Sequence, residues 1–130
     1  MSDLTALTAT QLVAGYAAGD FSPVEAARAV LERAEEIQPR VNAFVRLNAQ
    51  EALEQARASE ERWRRGAPQG LLDGVPVTIK DMLLQRGAPT LKGSWSVPDD
   101  DGPYEEDAPS VARMREHGAV FVGKTTTPEF

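Results

Sequence analysis

The run GAVFVGKT, Gly118 to Thr125, has the spacing G-x-x-x-x-G-K-[ST] of a loop that cradles phosphate. Such a loop works because its central residues leave regular structure, so that successive backbone N–H groups converge on an anion at the mouth of a following helix. Here the central residues are Ala119, Val120, Phe121 and Val122, a β-branched and aromatic run that reads as a buried strand. A helix-like segment precedes Gly118 where a strand is needed, and Thr125, Thr126, Thr127 and Pro128 oppose a helix afterwards. The pattern therefore reads as a glycine that stops a helix and a strand that follows it, without nucleotide chemistry.

Other residues offer different chemistry. Lys80 ends the alternating run Val75 to Ile79, at the carboxyl end of a strand, where open α/β sheets place ligands and catalytic groups. A lysine there ordinarily reaches solvent or pairs with a carboxylate; this strand is expected to be buried, and an amine shielded from water at its end loses its proton more readily and can act as a base. Asp81 follows directly. The acidic run from Asp99 to Asp107 lacks the ordered ligand spacing of a calcium loop and reads as a solvated loop. His117 is the one histidine, so neither a histidine metal site nor a Ser-His-Asp triad can be assembled, and its place near a helix end suits a dipole interaction. Ser94, Ser96 and Ser110 lack a Gly-rich turn that would present a nucleophile to oxyanion donors. Trp95 and Tyr104 are expected to pack their loop against the protein or to line a pocket. No cofactor and no metal are implied.

The elements that must position these groups follow from periodicity and caps. Thr8 and Gln11 have capping-box spacing ahead of a helix ending at Gly19. Ser22, Pro23 and Glu25 open a second helix with an apolar stripe through Val24, Ala27, Val30, Leu31 and Ala34, expected to stop before Pro39. Val41 to Leu47 reads as a short strand or connector, and Ala49 to Arg65 as a charged, solvated outer helix closed by Gly66. Beyond Asp73 and Gly74 the pattern is strand (75–80), helix capped by Asp107 or Ser110, and strand (119–122), which implies a parallel pair with a right-handed crossover. The stretch between Asp81 and Glu106 is too long and aperiodic for an ordinary connection, and such loops are usually functional.

With 130 residues, 42% apolar and 26% charged, the composition is that of one globular domain. A net charge of −6 argues against nucleic acid as a partner. The absence of cysteine and of a signal or spanning segment points to the cytoplasm, with no membrane partner. A parallel sheet of so few short strands leaves raw edges, so the chain reads as part of something larger.

Three ordered blocks, LLDGVPVTIKD (71–81), GAPTLKGS (87–94) and DAPSVARMREHGAVFVGKTTTPEF (107–130), together with the helices before them, resemble the amidase signature family over essentially the whole chain. The resemblance implies an α/β fold around a mixed sheet, of which residues 1–130 would be the N-terminal part: a helical region (8–66) and the start of the α/β core (71–130). It implies amide-bond hydrolysis by a Ser, cis-Ser, Lys triad in which Lys80 is the catalytic lysine and Asp81 supports it from beside. The Gly- and Ser-rich segment that supplies both serines in the family has no counterpart here, so the chain is expected to be inactive alone and to need the C-terminal portion of the same enzyme as its partner. A small-molecule amide would be the substrate, and a homo-oligomer is compatible. One branch of the family is the glutaminase subunit of tRNA-dependent amidotransferases; Thr127 and Pro128 stand where that subunit commonly has a methionine-acid pair, which favours a simple amidase. The remaining alternative is a non-catalytic binding or oligomerisation module.

Overall fold

The computed structural model describes residues 3–130. After a short 3-10 turn at Leu4–Ala6 come α1 (Ala9–Ala18), α2 (Pro23–Val41), β1 (Phe44–Leu47), α3 (Ala49–Arg64), β2 (Pro76–Lys80), α4 (Pro109–Glu116) and β3 (Val120–Thr125). The strands form a mixed sheet in the order β1-β3-β2, with β2 and β3 parallel and joined through α4, and β1 antiparallel to β3. Both expected capping boxes form: Thr8 with Gln11, and Ser22 with Glu25. Gly19 and Gly118 follow their helices in the left-handed region, at φ 75° and 84°.

Two helices differ from expectation. Proline at 39 removes one N–H donor but does not end α2, which runs on to Val41 and closes with Asn42 at φ 46°. The Gln38 side chain donates to the Phe44 carbonyl at 2.8 Å and accepts from the Phe44 N–H at 3.0 Å, which holds this last turn against β1. The helix α3 is not merely a solvated layer. Its narrow stripe of Ala52, Ala56 and Ser59 is fully buried, and Ala52 and Ala56 pack with Val24, Ala27 and Leu31 of α2 over Val120 and Val122 of β3. Small residues let the helices approach closely while the long charged side chains stay outside.

The other face of the sheet is narrower. Ile79 and Phe121 pack there against Val111 of α4. Asp107 does not cap α4; its carboxylate accepts from the Arg86 N–H at 2.7 Å and from Arg115 at 2.7 and 3.0 Å, leaving Ala108 as the cap residue ahead of Pro109. Below the sheet, Arg62 grips Asp73 through Nε and Nη2 at 2.8 and 2.7 Å, and Tyr16 donates to the Gly74 carbonyl at 2.9 Å. These bonds tie α1 and α3 to the turn that launches β2.

Candidate functional site at the carboxyl ends of β2 and β3

The decisive local feature is a slip in register. Val77 stands opposite Phe121 but Thr78 stands opposite Gly123, so Val122 is an extra residue in β3. A one-residue slip exchanges the two faces of the remaining strand. Lys124, which simple alternation would put with Val120 and Val122, instead stands opposite Ile79 on the α4 face, while Thr125 pairs with Lys80 on the other.

Lys80 is therefore on the open side of β2, together with the exposed Thr78, and its own side chain is exposed. The clefts between the N-terminal helices do not include it; the one of about 660 Å³ is lined by residues such as Leu7, Gln11 and Phe21. The shielded amine anticipated at Lys80 is found at Lys124. Its side chain is 1% exposed, and Nζ lies 2.7 Å from Thr90 Oγ1, 3.1 Å from the Leu83 and Pro89 carbonyl oxygens and 3.1 Å from Asp81 Oδ1. Burial pulls the Lys124 amine below its usual 10.5, opposed by the hydrogen bond and charge of Asp81 and reinforced by the charge of Arg46.

Asp81 is thus buried beside Lys80 in sequence while its carboxylate faces Lys124. It also accepts from the Leu91 N–H at 3.3 Å, its own N–H donates to the Thr125 carbonyl at 3.0 Å, and its carbonyl accepts from the Lys92 N–H at 3.0 Å. The long aperiodic stretch accordingly has a centre: its first part, residues 81–92, closes on itself around the Lys124 ammonium. Lys80 starts this turn, its carbonyl accepting from the N–H groups of Met82 at 2.7 Å and Leu83 at 3.0 Å.

The phosphate-loop pattern is spent on this architecture. The Val120 N–H donates to the Val75 carbonyl at 2.9 Å, the Phe121 N–H to Gln55 Oε1 at 2.7 Å, and the lysine of the pattern faces its own chain. The other candidates lie apart. Ser94 and Ser96 bond to each other at 2.8 Å, with Ser94 also bound to Glu129. The Leu71 N–H donates to His117 Nδ1 at 3.0 Å. Trp95, expected to pack or line a pocket, is fully exposed, and the Tyr104 hydroxyl donates to Asp101. Among the described residues no cluster of His, Cys, Asp and Glu could hold a metal ion. Sequence reading missed Lys124 and Thr90; the available signal was a lysine inside an otherwise apolar strand, VFVGK, with a lone aspartate just beyond the end of the neighbouring one.

The family model described as Amidase matches residues 25–130. This chain belongs to the amidase signature family. Among solved structures, a peptide amidase from Stenotrophomonas maltophilia superposes with a TM-score of 0.85 at 31% identity, covering 95% of this chain and 25% of that one. A fatty acid amide hydrolase does so with a TM-score of 0.88 at 28% identity, covering 96% of this chain and 22% of that one. Curated relatives include a glutamyl-tRNA(Gln) amidotransferase subunit of Salinispora tropica, 41% identical over 130 residues, which are all of this chain and 26% of that protein. The corresponding subunit of Myxococcus xanthus is 42% identical over 127 residues, 98% of this chain and 26% of that protein. The chain thus spans about a quarter of the length of the curated relatives it matches. The mixed α/β architecture agrees with the N-terminal regions of these amidase structures, and no described helix is long and apolar enough to cross a membrane.

Proposed function

We propose that residues 1–130 carry the lysine base of an amide-bond hydrolase of the Ser, cis-Ser, Lys type. The observation that carries this reading is the position of Lys80 within the family match: it ends β2 at the carboxyl edge of the sheet, on a face with room for further chain. Lys80 would take the proton of a bridging serine, which in turn takes that of the nucleophile, and the proton would leave with the departing amine. The serines and the oxyanion donors would come from outside these residues, so residues 1–130 alone would not cleave amides. The substrate would be a small-molecule amide, and the working partner the rest of the same enzyme.

An organophosphonate probe that reacts with activated serines tests the division of labour. The intact polypeptide that contains this chain should be labelled at a serine beyond Phe130, and residues 1–130 alone should take no label. Labelling of Ser94, Ser96 or Ser110 in the isolated chain would overturn the proposal.

A second reading has its own observation, the names of the curated relatives, which at 38–42% identity are amidotransferase subunits. On that reading the amide hydrolysed is glutamine and the ammonia passes to a partner enzyme. A glutaminase activity that rises on addition of such a partner would select it over the simple amidase.

A further inference from the structure

The ammonium of Lys124 is a buried charge that the proposed chemistry does not use. All of its acceptors, Asp81 Oδ1, the Leu83 and Pro89 carbonyls and Thr90 Oγ1, belong to the ten residues that follow Lys80. None comes from α4 or β1. A surface lysine would find water for this purpose; here a single segment replaces the whole hydration shell, and Asp81 supplies the opposite charge without which a buried ammonium is costly.

Residues 81–92 contain neither helix nor strand, and three of the bonds that close them meet at Asp81: Lys92 N–H to its carbonyl, Leu91 N–H to its carboxylate, and its own N–H to Thr125 next to Lys124; within the loop Thr90 Oγ1 also donates to the Leu83 carbonyl at 3.4 Å and the Ala88 N–H to the Gln85 carbonyl at 3.1 Å. Lys80 sits at the mouth of this loop, its carbonyl held by Met82 and Leu83 and its backbone in register with Thr125. Whatever fixes the loop fixes the direction in which β2 presents the Lys80 side chain.

We infer that Lys124 is a positioning residue: its buried ammonium folds residues 81–92 around itself and thereby holds the end of β2 so that Lys80 is aimed at its reaction partners. The lysine of a pattern that elsewhere grips phosphate here grips the carbonyls and carboxylate of its own chain. This inference rests on the proposed role of Lys80, and its test separates the two.

Lys124→Met alone leaves the Asp81 carboxylate buried without a counter-ion and can fail to fold, so the informative variant is Asp81→Asn with Lys124→Met, which removes both charges at nearly constant volume. In the intact polypeptide, hydrogen exchange at Leu91 and Lys92 should quicken at least about tenfold while the amides of α2 and α3 keep wild-type protection. With a small amide substrate, kcat should fall at least about tenfold with KM little changed, because substrate binding is intact and the base is misaimed. Lys124→Arg, which restores a cation but not the compact ammonium, should recover protection only in part. Unchanged kcat in the double variant, in an enzyme that Lys80→Ala inactivates, would overturn the inference and leave the proposed function standing. If Lys80→Ala is itself fully active, the proposed function falls and this inference with it.

Discussion

At the scale of single residues, two buried carboxylates share a strategy with different consequences. Asp73 is fully buried; burial pushes its carboxyl up, and the Arg62 fork with the Gln69 N–H at 2.6 Å outweighs this and holds it below its ordinary 3.8. A depressed carboxyl contributes stability that is present above its unfolded value and lost as pH falls through the folded one. Arg62 keeps 21% exposure, so Asp73→Asn should cost about 2 to 3 kcal/mol, at or below the range for fully buried pairs. It should also flatten the loss of stability below about pH 4, as urea unfolding across pH would show; an unchanged acid limb would remove Asp73 from that account. Asp81 and Lys124 make the other pair, and here the sequence singled out the carboxylate but not the cation it faces. Asp81 follows Lys80 in the sequence but lies just beyond β2, in the turn that leaves the strand. Its carboxylate faces Lys124, a cation that only the tertiary pairing could name.

At the scale of elements, the caps were legible because they are local. Thr8 with Gln11 and Ser22 with Glu25 need only a spacing of three residues, and both boxes form. The end of α2 and the cap of α4 were not legible, because Gln38 reaches Phe44 and Asp107 reaches Arg115, partners that local propensity does not see. The register slip at Val122 belongs to the same class: it decides which face receives Lys124, and no alternation rule contains it. At Gly123, next in the strand, the backbone of β1 approaches closely. A Cβ there would run into the Arg46 carbonyl oxygen, a contact with backbone that has little freedom to yield. Gly123→Ala should therefore destabilise by about 1 to 3 kcal/mol and expose the Asn48 N–H, which donates to the Val122 carbonyl, to faster exchange. Wild-type stability in urea and wild-type exchange at Asn48 would contradict this reading of the β1–β3 contact.

At the scale of the whole molecule, the α/β class, the parallel β2–β3 pair and the family were all readable, since strand–helix–strand order and three spaced motif blocks survive without side-chain detail. The environment of Lys80 was not. Its expected shielding assumed cover on both faces of β2, whereas in these residues β2 is an edge strand with Thr78 and Lys80 on its open side. The central claim is that this amine is the base for amide cleavage, and turnover of the intact polypeptide by Lys80→Ala tests it most directly. The account predicts that kcat on a small amide falls by at least about 10²-fold while hydrogen exchange across the fold stays as in the wild type; near-normal turnover in a folded Lys80→Ala protein would contradict it.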